Sequence, residues 1–178
     1  QYVATSAKKV ICIDSVEEGI KAAYENAERN NIKNCTFYTG DMKEIFTDEF
    51  IANNGTPDVI ITDPPRDGMH KKVVKQILKI GAKSIVYISC NSATQARDLA
   101  LMDEKYKVIH IQPVDMFPQT HHVENIVVLK SGTKFLILVL SYIKSYPSEP
   151  PTNISPFLFG ICFATNSIGR SWYVTLVP

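Results

Sequence analysis

The sequence predicts an α/β fold, and three observations support this prediction. Short apolar segments typical of buried strands alternate with helical segments through most of the chain. The helical segments carry their apolar residues at helical spacing. Several apolar segments end in Asp or Cys. Strict alternation of strand and helix favours a mostly parallel sheet covered by helices on both faces.

The first half of the predicted α/β region, residues 9–53, contains two predicted strands and two predicted helices. Residues 9–14 form an apolar run that ends in Asp14, as a buried parallel strand does. Residues 16–31 follow as a helix, because small and apolar side chains recur along one face. Residues 35–40 are predicted as the second strand and residues 42–53 as a second helix.

The second half continues the alternation. Residues 58–63 form a strand that Pro64 and Pro65 stop, because proline cannot continue a hydrogen-bonded ladder. The remaining predicted elements are a helix at 70–80 ending at Gly81, a strand at 84–89, a helix at 93–103 and strands at 106–111 and 125–129.

Composition limits the function classes. The net charge of +1 gives no strong electrostatic signature of nucleic-acid binding, so any RNA contact must depend on local patches or on a further domain. The four cysteines lack the spacing of a metal site and indicate a reduced, cytoplasmic protein. The first residues lack the pattern of a signal peptide and an initiator Met, which suggests a fragment.

The composition changes after about residue 131. The only charged residues from Ser131 to Pro178 are Lys134, Lys144, Glu149 and Arg170. The apolar run at 135–140 is far shorter than the roughly 20 residues that cross a bilayer, so no membrane span is predicted. With no clear helical or strand period, residues 131–178 are interpreted as an atypical tail, and residues 1–130 as the functional domain.

Four polar residues fall at the carboxyl ends of predicted strands. They are Asp14, Asp41, Asp63 and Cys90. Ligands of open α/β sheets bind outside these strand ends, so the four residues together predict a binding site. Asp14 suits the hydroxyls of a nucleoside ribose, or caps the following helix. Asp41 suits the amino group of an adenine, or caps a turn.

Two further segments carry candidate chemistry. The Asp-Pro-Pro-Arg-Asp-Gly turn at 63–68 is stiff and suits a planar heterocycle beside a cofactor, or is a proline-rich loop with Asp63 as a cap. Cys90 is a candidate nucleophile, because the helix after it favours a thiolate. Alternatively, Cys90 is a small core residue. Glu124 is a candidate base, or a solvated carboxylate. Adjacent His121 and His122 point apart on an extended chain, so no metal site is predicted.

With these residues in view, the chain resembles the RNA (uracil-5-)-methyltransferase family over residues 1–130, and its bacterial 23S rRNA branch in particular. Three ordered motifs carry the resemblance: Asp-Pro-Pro-Arg-x-Gly at 63–68, Ser-Cys-Asn at 89–91, and Asp-x-Phe-Pro-x-Thr-x-x-x-Glu at 115–124. The resemblance implies a class I S-adenosylmethionine-dependent methyltransferase (Rossmann-like) fold. It also implies RNA, rRNA above all, as the substrate.

The resemblance assigns a role to each candidate residue. Cys90 is the implied nucleophile that adds to C6 of uracil, and Glu124 the base that removes the C5 proton. The residues implied to bind S-adenosyl-L-methionine are Asp14, Asp41 and Asp63. Those implied to bind the substrate are Pro64, Arg66 and Asn91.

Departures from the family pattern leave alternatives open. Ser92 replaces the family proline, and the family's earlier central strand with its glycine-rich cofactor loop is missing, as is its RNA-binding barrel. We therefore expect a fold truncated at its N-terminal strand, with weak or no activity in the isolated chain. The alternatives are an amino-group methyltransferase with an Asp-Pro-Pro motif, which needs no cysteine, and a non-catalytic truncated product.

Overall fold

The computed structural model describes residues 2–116, 118–132 and 172–177, the last of these as backbone only. Within these residues, a 3₁₀ helix at Tyr2–Ser6 precedes seven strands and five α-helices. The strands are β1 (Lys9–Asp14), β2 (Cys35–Thr39), β3 (Val59–Asp63), β4 (Ser84–Ser89), β5 (Tyr106–Val114), β6 (Glu124–Ser131) and β7 (Trp172–Val177). The helices are α1 (Glu17–Arg29), α2 (Met42–Ile45), α3 (Asp48–Asn54), α4 (Lys71–Ile80) and α5 (Ser92–Met102).

The predicted helix at 42–53 is two helices. Asp41 caps α2 and Thr47 caps α3, each with a side-chain oxygen that accepts a backbone N–H of the first turn. Ser, Thr, Asp and Asn favour such cap positions, so each cap begins a new helix. The other predicted helices and strands correspond to observed elements with small shifts of their ends.

The seven strands form one sheet in the order β2-β1-β7-β3-β4-β6-β5. Strands β1 to β5 share one direction, while β6 and β7 run opposite to them. The expectation of a mostly parallel sheet is therefore correct for strand direction and wrong for pairing. Only β1 with β2 and β3 with β4 are parallel neighbours, because β7 and β6 lie between the other strands of common direction.

Strand β7 is the element that the sequence analysis missed. It lies between β1 and β3 and pairs with both in antiparallel register, Cys12 and Ile61 each lying opposite Val174. Its sequence, Trp-Tyr-Val-Thr-Leu-Val, is rich in the aromatic and β-branched residues that favour strands. The earlier interpretation of residues 131–178 as lacking any strand period is therefore wrong at this segment. The apolar run at 135–140 lies outside the described residues.

Apolar side chains cover both faces of the sheet. On one face, α1 packs its buried Ile20, Ala23 and Ala27 against Val10 and Phe37 of the sheet. On the other face, helices α2 to α5 enclose a larger core around Ile60, Ile85 and Tyr87. These two layers bury most of β1 and β3, the strands that end in Asp14 and Asp63. Within the described residues, no helix is long and apolar enough to cross a membrane.

Candidate active site

Three neighbouring strands bring the central site residues to one edge of the sheet, here called the carboxyl edge. Strand β3 ends at Asp63, β4 ends one residue before Cys90, and the antiparallel β6 begins at Glu124. Ser89 lies opposite Asn125 in the ladder, so the next residues outward on each strand are Cys90 and Glu124. The structure thus brings Asp63 and Cys90 to one edge, as was expected of strand ends, and the antiparallel β6 adds Glu124 to the same edge.

Cys90 is partly exposed and lies directly before α5. Asn91 caps this helix, its side-chain oxygen accepting the Ala93 N–H at 3.1 Å. The preceding Ser89 is fully buried and ends the strand with a hydroxyl bonded to Asn91. The thiol therefore lies just before the N-terminus of α5, with part of its surface open to solvent.

The carboxyl groups of Asp63 and Glu124 influence each other. Burial, and then the nearby charge of Glu124, raises the pKa of Asp63 to about 7. Burial also raises the pKa of Glu124, and the positive charge of Arg66 opposes that rise. A raised pKa makes Glu124 a stronger base than a solvated carboxylate, which suits proton removal from carbon. Near neutral pH Asp63 can both donate and accept a hydrogen bond.

Arg66 reaches toward the segment that precedes Glu124. Its Nη2 lies 3.4 Å from Nε2 of His122, while its side chain stays exposed. Pro64, which belongs to the same Asp63–Gly68 turn, is buried. The amide of Asn91 is engaged on both sides, since its Nδ2 donates to the Arg66 carbonyl at 3.0 Å. Asn91 therefore joins the turn to α5, and its contact with a substrate stays a prediction.

Asp14 ends β1 opposite Thr39, the last residue of the neighbouring β2, and Asp41 follows two residues after that strand end. Asp14 is buried, with 2% of its surface exposed, and its Oδ1 accepts the Val16 N–H at 2.9 Å. Asp41 is exposed and bonds Lys43 through both backbone N–H and ammonium, and this side-chain bond lowers its pKa. Asp41 thus has the cap role that the sequence left open, whereas the cap position of α1 is Val16 and the Asp14 carboxylate forms a turn with the Val16 N–H. Their ligand contacts stay predictions.

Within the described residues, no group of three or more His, Cys, Asp or Glu side chains could hold a metal ion. An open groove of about 860 Å³ lies elsewhere, between α1 and β2, with Glu17, Lys21, Tyr24 and Phe37 among its lining. None of the predicted site residues borders it.

The buried Asp98 on α5 is a residue of this region that was not predicted from the sequence. This residue is fully buried and accepts hydrogen bonds from Met69 and Tyr87, directly below the Asp63–Gly68 turn. An acid at a position of α5 that faces the core was the available signal, because charged groups are rarely buried unless they are paired.

Comparison with known proteins identifies clear relatives over the same part of the chain. Residues 2–132 match the sequence profile of the tRNA (uracil-5-)-methyltransferase family. An uncharacterized RNA methyltransferase of Bacteroides thetaiotaomicron is 61% identical over 129 residues, 72% of this chain and 28% of the relative. One from Porphyromonas gingivalis is 53% identical over 135 residues, covering 75% and 29%. The chain therefore spans less than a third of the length of these relatives.

Solved structures agree with the fold. The tRNA (uracil-54, C5)-methyltransferase of Pyrococcus abyssi, in complex with S-adenosyl-L-homocysteine, is 37% identical with a TM-score of 0.62. That match covers 72% of this chain and 30% of the Pyrococcus protein. An rRNA methylase of Streptococcus thermophilus shares the fold at 13% identity and a TM-score of 0.55, over 72% of this chain and 76% of that one. The fold is that of the class I S-adenosylmethionine-dependent methyltransferases.

Proposed function

We propose, starting from the fact that this chain belongs to the tRNA (uracil-5-)-methyltransferase family, that it methylates C5 of uracil in RNA through a covalent cysteine adduct. One observation carries this proposal: a partly exposed thiol, Cys90, lies at the carboxyl edge between the strand ends that bear Asp63 and Glu124. A nucleophile and a base on adjacent strands suit a reaction that needs both.

The proposed reaction proceeds through an adduct on the base. The Cys90 thiolate adds to C6 of a uracil that has left its stack, and the electron pair of the C5–C6 bond moves to C5 and O4. Activated C5 takes a methyl group. Glu124 then removes the C5 proton, the double bond re-forms, and the Cys90 thiolate leaves. The raised pKa of Glu124 supports its role as the proton acceptor.

The turn from Asp63 to Arg66 is proposed to hold the uracil ring. Pro64 fixes the backbone, Arg66 supplies a cation at the edge of the site, and Asp63 can donate or accept near neutral pH. Asn91 is proposed to contact the substrate from the start of α5. These donors and acceptors suit the uracil ring, whose edge alternates carbonyl acceptors with an N–H donor.

S-adenosyl-L-methionine is the proposed methyl donor, and when bound it supplies the methyl group that C5 takes. The carboxylates of Asp14 and Asp41, which follow the adjacent strands β1 and β2, fit its ribose hydroxyls and adenine amino group, because both ligand groups donate hydrogen bonds. Asp63 is proposed to line the same site from β3. The cofactor contacts at Asp14 and Asp41 must compete with the bonds to Val16 and Lys43.

We further propose that this chain by itself has weak activity. Strand β7 lies between β1 and β3 and runs antiparallel to both, so Trp172 at its start, opposite Asp63, lies at the carboxyl edge. No carboxyl-terminal strand end is therefore found between those of β1 and β3 in the described residues. Ligands of this fold bind outside carboxyl-terminal strand ends. The part of the cofactor site that lies between the ends of β1 and β3 therefore differs from the usual arrangement of this fold.

The proposed target is rRNA, as the resemblance to the 23S rRNA branch implies, with tRNA as the alternative given by the name of the family. Transfer of a radiolabelled methyl group to separate rRNA and tRNA transcripts distinguishes the two. Labelled 5-methyluridine in the rRNA transcript alone supports the proposal, and label in the tRNA transcript alone contradicts it.

The central prediction is that Cys90→Ala abolishes transfer of a labelled methyl group to uracil-containing RNA. The reason is that C5 of uracil is too weak a nucleophile without addition at C6. Cys35→Ala is the matched control, because Cys35 is also a partly buried free thiol but lies at the start of β2. Methyl transfer that persists in Cys90→Ala would contradict the covalent mechanism.

Two observations favour the alternatives, and each has its own test. The Asp-Pro-Pro turn also suits methylation of an amino group, which requires no thiol; an adduct between Cys90 and 5-fluorouracil RNA would exclude that reaction. The position of β7 favours a non-catalytic product; tight binding of S-adenosylmethionine in a calorimetric titration would contradict it.

A further inference from the structure

A buried carboxylate beneath the carboxyl edge has no part in the proposed reaction. Asp98 on α5 has none of its surface exposed. Its Oδ2 accepts from the Met69 N–H at 2.6 Å and from the Tyr87 hydroxyl at 2.8 Å. Its Oδ1 accepts from Nε and Nη2 of Arg97 at 3.0 and 2.7 Å. Each oxygen thus has two donors, as a buried carboxylate requires.

This carboxylate touches the end of the Asp63–Gly68 turn. Gly68 has φ of +77°, and a Cβ built there would lie 2.5 Å from Oδ2 of Asp98 and 2.6 Å from Nη2 of Arg97. Arg97 Nη2 also donates to the Asp67 carbonyl at 2.8 Å. Residues 67–69 therefore lie directly on the Asp98–Arg97 pair, and glycine is the residue that this close approach permits.

The beginning of α5 holds the same turn at a second point. The Arg66 carbonyl accepts from Asn91 Nδ2 at 3.0 Å and from Thr94 Oγ1 at 2.9 Å. Asn91 and Thr94 belong to the cap and first turn of the helix that follows Cys90. Three residues of the segment, Arg66, Asp67 and Met69, are consequently hydrogen-bonded to α5 or its cap, and that helix directly continues the segment bearing the thiol.

We propose that Asp98 is a positioning residue that fixes the Asp63–Gly68 turn relative to Cys90. The uracil ring held by the turn and the Cys90 thiol are then kept in one rigid unit. This inference rests on the proposed function for its chemical meaning. Addition to C6 needs the reacting atoms about 3–3.5 Å apart, and a displacement of about 1 Å costs on the order of 100-fold in rate. Loosening the turn should therefore slow adduct formation more than it weakens RNA binding.

The test compares two buried tyrosines. Tyr87→Phe removes one hydrogen bond from Asp98 Oδ2. Tyr106→Phe is the matched control: Tyr106 is equally buried, and its hydroxyl donates to the Ala82 carbonyl at 2.9 Å, a contact with no part in the turn. Each variant loses one phenol hydrogen bond, so a merely structural role would affect both alike. Asp98→Asn should have the larger effect, because its amide NH2 group cannot accept the hydrogen bonds that the Asp98 carboxylate accepts.

Two readouts are measured on the full chain. The first is the rate of the Cys90 adduct with saturating 5-fluorouracil RNA and S-adenosylmethionine, alongside the RNA dissociation constant. The second is hydrogen exchange of the Gly68 and Met69 amides. For Tyr87→Phe we expect an adduct rate lower by about ten-fold with unchanged RNA affinity, and faster exchange at both amides. Tyr106→Phe should change neither.

The outcomes separate this inference from the proposed function. Equal adduct rates and equal exchange in the two tyrosine variants would overturn the positioning role. A wild-type chain that forms no adduct would count against the proposed function, and the exchange of Gly68 and Met69 would then decide alone whether Asp98 holds the turn. Unchanged exchange in both Tyr87→Phe and a folded Asp98→Asn would refute it.

Discussion

Asp63 shows how a single residue acquires its chemistry from its surroundings. In the sequence it is an acid before two prolines. In the fold it is largely withdrawn from water and faces the charge of Glu124, and its pKa rises to about 7. Each cause disfavours the charged form, so both act in the same direction.

This shift predicts a pH dependence of stability. The folded-state pKa of Asp63 lies above its value in the unfolded chain, so the folded state holds the proton more tightly. Its contribution to stability is therefore present at about pH 4 and is lost as pH rises to about 7. Asp63→Asn should remove that part of the dependence. Urea unfolding of both proteins at pH 4.5, 6 and 8 measures it.

The control is Glu104→Gln, which changes an exposed acid just beyond α5. It should leave the pH profile of the wild-type chain intact. If Asp63→Asn and the wild-type chain lose stability in parallel between pH 4.5 and 8, the raised pKa of Asp63 is contradicted.

At the scale of the element, short polar side chains decide where helices begin. The break between α2 and α3 lies at Thr47, whose hydroxyl accepts the Phe50 N–H at 3.2 Å. Periodicity alone merged the two helices, because apolar residues continue on one face through the break. Phe46 and Phe50 both face the same core and contact each other at a centroid distance of 6.3 Å.

Thr47→Ala should lower the free energy of unfolding by about 0.5–2 kcal/mol, because a backbone N–H of the first turn of α3 loses its acceptor. Thr47→Ser keeps the hydroxyl and should stay near the wild-type value. Denaturant unfolding monitored by circular dichroism measures both. An alanine variant as stable as the serine variant would show that the cap contributes nothing.

At the scale of the whole molecule, β7 connects two halves of the sheet. Strands β2 and β1 lie on one side of it, and β3, β4, β6 and β5 lie on the other. In the described residues the two halves share no strand pairing except through β7. Its removal from the ladder would separate Asp14 from Asp63 and so divide the carboxyl edge.

Val174→Pro tests this central position. Val174 pairs with Cys12 on one side and Ile61 on the other, and proline removes a backbone donor from the ladder. We expect a larger loss of unfolding free energy than for proline in an edge strand, because a hydrogen bond of a central ladder is lost. Ile109→Pro is the control, because Ile109 is exposed and lies at the irregularity of the edge strand β5. Equal effects of the two substitutions would contradict the central placement of β7.

The sequence by itself determined the local elements and the residues of the carboxyl edge. Apolar periodicity, the Pro64–Pro65 stop and Gly81 are signals carried within a few residues, so strands β1 to β4 and helix α4 were predictable. The placement of Asp63 and Cys90 at strand ends followed directly, because parallel strands end at a common edge.

Only the tertiary structure decided three further features: the register that sets Glu124 beside Cys90, the insertion of β7, and the burial of Asp98 under the turn. Each depends on residues far apart in the chain, such as Asp98 with Met69 or Trp172 with Asp63. Pairing and burial energies arise only when those segments meet, so the local sequence signals at most the acid on the core-facing side of α5 and not the partners that it meets. The raised pKa of Asp63 belongs with them, because its causes are burial and a charge on another strand.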